Sequence, residues 1–373
     1  MVRQLAATAR FIRAFARPTP DPLREREVLL PGGRQATVYL PRSPGPAPGW
    51  ILLHGVTVRG RHHDAARRLA RSLAAAGCVA LVPEVPAWTE LRVDVRETDA
   101  VIRDSLAWME AERRVDARRA GLMGFSVAAT WGLEAAAGPY RGRFRSVVAV
   151  GGYASWRAVL RAMIAGERET PSGIEAFGPD PYGRWIMGAN LLPLLEGDRW
   201  GPAAARAQAA GALRRLAWTA GRNGAIADSP IYDRLNAELR SQLPPAALRC
   251  WDTIAPFSSQ PTGPLEAARS LADDLATAAL NAEPALDPAG QLDDLCGNVV
   301  LLHGRADRLI PSHETVCLAA LLPARVRAHV TISALMGHTR TREAKPPRDP
   351  RQVAKEVASI VRCFETIVGS LND

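Results

Sequence analysis

A serine hydroxyl becomes a useful nucleophile only when a base takes its proton and a third group holds the base. Three segments of this chain carry those residue types. Gly124-Phe125-Ser126-Val127-Ala128 sets a serine in a short turn with small residues two positions away on either side. A sharp turn strains the backbone at the serine and leaves no room for bulk at those flanking positions. Ala128 stands where the strict Gly-x-Ser-x-Gly pattern has its second glycine. Further along come His303-Gly304-Arg305-Ala306-Asp307 and Leu335-Met336-Gly337-His338-Thr339. The order Ser126, Asp307, His338 is serine, acid, histidine, which is the chain order expected when a serine sits on a strand-to-helix turn.

The fourth ingredient is a pair of backbone N–H groups to hold an oxyanion. Each such donor contributes roughly 3 kcal/mol to the transition state. His54-Gly55-Val56 follows an apolar run, so the Val56 N–H is one candidate and the Val127 N–H the other. Gly55 lets the backbone approach closely, and His54 reads as a hydrogen-bonding brace. His62-His63-Asp64 reads as a helix start, because adjacent residues do not put two ligands on one helical face. His313 and His329 read as structural. The five cysteines are widely spaced and form no C-x-x-C pair, so neither a disulfide framework nor a zinc site is expected. They read as reduced thiols of a cytoplasmic protein.

Groups so far apart in sequence must be positioned by a sheet. Short apolar runs at 36–40, 50–53, 78–82, 120–123 and 146–150 read as strands. Amphipathic stretches at 62–76, 96–111 and 127–137 read as helices between them. The alternation stops near Tyr153 and resumes with a strand at 298–302, a helix at 313–322, a strand at 328–332 and a helix at 353–368. This predicts an α/β core over 31–152 and 292–373, with a helical insertion over 153–291 that is too long to be a structureless loop. The insertion carries Trp156, Trp185, Trp200, Trp218 and Trp251, five of the nine tryptophans. They are expected to form its own core, with one or two facing substrate.

The balance of 47 basic to 38 acidic residues gives a net charge of +9. All the basic residues but Lys345 and Lys355 are arginines, interleaved with Asp and Glu. That bias, with abundant Ala, Gly and Pro, indicates a high-GC, bacterial genome, and no nucleic-acid-binding motif accompanies it. The composition of 47% hydrophobic and 23% charged residues excludes disordered and fibrous classes. No apolar run is long enough to span a bilayer. Residues 1–30 read as a basic amphipathic helix, ending near Pro18, and a linker. Its apolar stripe is expected to pack on the body, with peripheral contact to an anionic membrane as the alternative.

Leu52 to Gly55 (LLHG), Gly124 to Ala128 (GFSVA), Leu301 to Pro311 (LLHGRADRLIP) and Met336 to His338 (MGH) together resemble the α/β-hydrolase-fold serine hydrolases, of the esterase and dienelactone hydrolase-like branches. The resemblance covers roughly 34–152 and 298–368. It implies an eight-stranded, mostly parallel sheet with helices on both faces and the insertion as a cap. It also implies hydrolysis of a small carboxylic ester by Ser126, His338 and Asp307 through an acyl-enzyme, with no cofactor and no metal. His54, Gly55, Gly124 and Ala128 would support the site. The tryptophan-bearing cap suggests an apolar acyl or aryl substrate. Amide hydrolysis, acyl transfer, or non-catalytic binding on the same fold are the alternatives. Ala128 departs from the strict pattern, and dienelactone hydrolase-like members often use cysteine where this chain has Ser126.

Overall fold

A computed structural model describes residues 2–17, 24–170, 172–224, 227–260, 263–335 and 349–371. The chain opens with α1 (Val2–Ala16), then β1 (Arg24–Leu29), β2 (Gln35–Leu40) and β3 (Ala47–Leu53). There follow α2 (Asp64–Ala76), β4 (Val79–Pro83), the single turn α3 (Pro86–Thr89), α4 (Glu97–Ala111), β5 (Val115–Phe125), α5 (Val127–Ala137) and β6 (Ser146–Val150). The stretch 151–297 holds α6 (Trp156–Leu160), a hairpin of β7 (Glu167–Thr170) and β8 (Gly173–Ala176), then α7 (Pro181–Leu191) and α8 (Ala203–Asn223). It continues with α9 (Asp233–Ser241), α10 (Pro245–Ile254) and α11 (Leu265–Ala282). The chain then returns through β9 (Asn298–Gly304), α12 (His313–Ala320), β10 (Arg327–Ser333) and α13 (Pro350–Gly369).

Eight strands form one sheet in the order β1-β2-β4-β3-β5-β6-β9-β10. Only β1 with β2 and β2 with β4 pair antiparallel; the other five pairings are parallel. All five residues of β4 are buried, as are Trp50 to Leu53 at the end of β3. Such continuous apolar runs belong to strands covered on both faces. On one face lie α1, α2 and α13, with Phe11, Leu69, Leu73 and Phe364 in the core. On the other lie α4, α5, α12 and the start of the insertion, with Ile102, Trp131, Trp156 and Leu318.

α1 buries its apolar stripe on the body. The Phe11 ring centroid lies 4.7 Å from that of Phe364, and Phe15 lies 5.1 Å from the same ring. Arg10 Nε donates to the Ala75 carbonyl at 3.0 Å. β1 falls in the stretch expected to be a linker. Its sequence REREVL gives no apolar alternation because it is an edge strand whose acids pair with arginines: Glu25 with Arg67 and Arg71, and Glu27 with Arg61. β5 also starts at Val115, earlier than its apolar run suggests, because its polar first half is only partly covered.

Because β3, β4, β5, β6, β9 and β10 are parallel, their C-terminal ends share one edge of the sheet. α7 and α8 lie over the loops that leave that edge. Asn190 of α7 accepts from the Val93 N–H at 3.0 Å and donates to the Leu91 carbonyl at 2.8 Å. Arg308, beyond β9, donates to the Gly178 carbonyl and pairs with Asp228, both at 2.8 Å. Its own carbonyl accepts from Asp180 N–H at 2.8 Å.

Candidate active site

Ser126 is the residue between β5 and α5, with φ 57° and ψ −132°. It is one of two non-glycine residues with positive φ among those described, the other being Leu91. An L-residue adopts this conformation at a cost of about 1–2 kcal/mol. The turn is closed by the Ser126 N–H, which donates to the Val150 carbonyl of the next strand at 2.8 Å. A Cβ on Gly124 would lie 2.2 Å from the backbone oxygen of Ala128, so this position requires glycine. Ala128 itself is fully buried, and its methyl is accommodated where the strict motif has none.

The loop after β3 passes directly beside the serine. A Cβ on Gly55 would lie 3.1 Å from Ser126 Cβ and 3.2 Å from the Phe125 carbonyl oxygen. His54 is buried, and its Nε2 accepts from the Val85 N–H at 3.1 Å. That leaves the proton on Nδ1, which donates to the Gly55 carbonyl at 2.8 Å. Holding this carbonyl fixes the peptide plane it shares with the Val56 N–H. Burial pushes the His54 imidazole down to about 4, so it stays neutral at physiological pH. Trp88 packs edge-on against its ring, at 5.6 Å between centroids. Among the described residues, neither the Val56 N–H nor the Val127 N–H has a backbone acceptor; Val127 follows Ser126, and Val56 follows the Gly55 that packs against it.

Asp307 sits three residues past the end of β9, two strands over from β5. Its side chain is buried, and Oδ1 accepts from the N–H groups of Leu309 at 2.8 Å and Ile310 at 3.1 Å. Its Oδ2 lies 3.2 Å from Nε2 of His303, a fully buried residue of β9. His338 lies outside the described residues, as do Met336 and Gly337. The described chain reaches Leu335, just past β10, whose end lies beside that of β9.

His303 has no role in the motif reading. The available signal is the recurrence of Leu-Leu-His-Gly at 52–55 and 301–304. In both copies the histidine ends a strand, is buried, and holds the loop that follows. Among the histidines expected to be structural, His313 Nε2 lies 3.3 Å from Cys317 Sγ, and His329 Nε2 lies 3.2 Å from Thr331 Oγ1. His63 sits at the residue before α2 without a side-chain capping hydrogen bond, and no group of His, Cys, Asp and Glu among the described residues could hold a metal ion.

Four of the insertion's tryptophans are buried: Trp156, Trp185, Trp200 and Trp251. Trp200 Nε1 donates to Asp274 at 2.7 Å and Trp251 Nε1 to Asn236 at 3.0 Å, so these two serve the insertion's own packing. Trp218 is exposed and lines a hollow of about 470 Å³ with Glu90, Gly211, Arg214 and Arg215, none of which belongs to the site.

A mostly parallel eight-stranded sheet, with a strained serine on the β5–α5 turn and an acid beyond β9, defines the architecture. The chain has the α/β-hydrolase fold. No protein-family model and no curated protein sequence matches it. Solved structures do. It is similar to a 2,6-dihydroxy-pseudo-oxynicotine hydrolase at 14% identity and a TM-score of 0.45, over 94% of this chain and 68% of that one. It is similar to brefeldin A esterase, a bacterial homologue of human hormone-sensitive lipase, at 14% identity and 0.45, over 99% and 84%. It is also similar to a Pyrococcus horikoshii acylaminoacyl peptidase at 12% identity and 0.47, over 92% of this chain. It spans 41% of that peptidase's length. No helix among the described residues of this α/β-hydrolase-fold chain is long and apolar enough to cross a membrane.

Proposed function

We propose that this protein is a serine hydrolase that cleaves carboxylic esters through an acyl-enzyme. The observation that carries the reading is Ser126, held at positive φ at a strand–helix junction with the Gly55 loop against it. In this reading Ser126 Oγ attacks the acyl carbon while His338 takes its proton. His338 returns that proton to the leaving alcohol, and Asp307 fixes the tautomer and stabilises the imidazolium. The Val56 and Val127 N–H groups hold the oxyanion. Water then attacks the acyl-enzyme, giving up a proton to His338. The carboxylic acid leaves and Ser126 regains its hydrogen. These steps call on no cofactor.

In the same reading residues 153–291 are a cap that sets substrate choice. The contacts of Asn190 with the loop after β4, and of Gly178, Asp180 and Asp228 with Arg308, support it. Leu309 beside Gly183 and Met163 lends the underside of α7 an apolar character suited to an acyl or aryl group.

The test is covalent labelling by a fluorophosphonate, followed by turnover of esters of rising chain length beside matched amides. Labelling that disappears in Ser126→Ala, with esters turned over faster than amides, is the expected result. Faster amide turnover makes the protein an amidase, and an unlabelled wild type makes it a binding protein.

A further inference from the structure

His303 meets the candidate acid from inside the core. Its Nε2 faces two acceptors, Asp307 Oδ2 at 3.2 Å and the Ile310 carbonyl at 3.0 Å. A ring nitrogen between two acceptors must carry the proton. The other nitrogen, Nδ1, lies 2.5 Å from the hydroxyl of Thr315 on α12. In a neutral imidazole that nitrogen is an acceptor, so the Thr315 O–H donates to it. Both side chains are closed off from solvent, His303 at 0% and Thr315 at 1% exposure, so water cannot replace either partner.

We propose that His303 is a positioning residue for Asp307, and that Thr315 fixes the tautomer that lets it donate. The proposal rests on the serine hydrolase reading of the site. Among the described residues, the Leu309 and Ile310 N–H groups donate to Oδ1 of the acid and His303 donates to Oδ2. Among the described residues, the titratable neighbours Glu314, His313, Arg308 and Arg305 are engaged elsewhere. From α12, Glu314 accepts from the Ala154 and Ser155 N–H groups, both at 3.0 Å. His313 faces Cys317, Arg308 turns to Asp228, and Arg305 pairs with Glu356 of α13. Without the His303 proton, Oδ2 keeps more negative charge for the catalytic imidazolium, which then loses its proton at higher pH.

Four variants test this: His303→Leu and His303→Gln, Thr315→Val and Thr315→Ser. Turnover of a short p-nitrophenyl ester is measured across pH and expressed per serine titrated with fluorophosphonate, so misfolded protein does not count. The expected result is that His303→Leu and Thr315→Val lose about tenfold or more in kcat, with KM changed less than about twofold. The acid limb of their kcat/KM profile moves up by about half a pH unit. Gln at 303, whose amide N–H reaches the same place, and Ser at 315 restore most of the rate. A labelled wild type with unchanged profiles in His303→Leu and Thr315→Val overturns the positioning role alone. So does failure of the Gln and Ser variants to rescue. An unlabelled wild type overturns the hydrolase reading and this proposal with it.

Discussion

Strain at Ser126 has a measurable signature apart from catalysis. Glycine relaxes at φ 57°, whereas alanine keeps the clash. Ser126→Gly is expected to be more stable than Ser126→Ala by about 1 kcal/mol in urea unfolding. His54 gives a second residue-scale prediction. Its imidazole sits at about 4 when folded because of burial, against 6.5 when unfolded. Between those values the unfolded chain takes up a proton that the native chain refuses, so stability falls as pH drops through that window. The loss is on the order of 3 kcal/mol. His54→Asn is expected to start less stable at neutral pH and to lose less on acidification, as read from urea midpoints at several pH values. The places of Ser126 at a strand–helix junction and of Asp307 just past a strand were legible from the sequence, because each follows an apolar run that ends abruptly. His303 was not, since what marks it is a partner on a neighbouring helix and a carboxylate four residues on.

At the scale of elements, α5 carries an unusual passenger. Glu134 is buried on it, near Asp287 and Glu283, and burial raises its carboxyl to about 9. A carboxyl whose folded value lies above its unfolded one of 4.5 favours folding most at low pH. That stability declines as pH rises through 4.5 and is gone beyond about 9. Glu134→Gln is therefore expected to raise the melting temperature at mildly alkaline pH and to leave it nearly unchanged near pH 4, about its unfolded value. α1 gives the other test. Removing the fully buried Phe11 ring by Phe11→Ala is expected to cost about 3–4 kcal/mol, measured by denaturant unfolding. An unchanged midpoint would mean that α1 does not pack on α2 and α13. The long helices and central strands were readable from their periodicity. β1 and the first half of β5 were not, because charged residues at a sheet's margin satisfy each other sideways and leave no alternation. The β7–β8 hairpin was hidden for a related reason: Glu167 pairs with Arg269 of α11, and Arg168 with Glu175 across the hairpin.

Across the whole molecule, many arginines are paired with carboxylates. Arg240 grips Asp252 at 2.7 Å, and Arg34 bridges Glu97 at 2.6 Å, with Asp104 within 3.4 Å. Arg308 ties the loop after β9 to two separate segments of the insertion. Arg308→Ala is expected to destabilise the protein by about 1–2 kcal/mol. Limited proteolysis should then nick the insertion sooner than in the wild type, while the sheet persists. Equal resistance would mean that the strap bears no weight.

β6 and β9 lie side by side in register, Val150 opposite Leu302, although the whole insertion separates them in sequence. A parallel neighbour can be reached with a crossover of about a dozen residues. The chain between these strands is therefore far longer than the pairing requires, although its start packs into the core through Trp156. Diversification can trade it for longer or shorter versions while the thread of the barrel-less scaffold beneath stays the same.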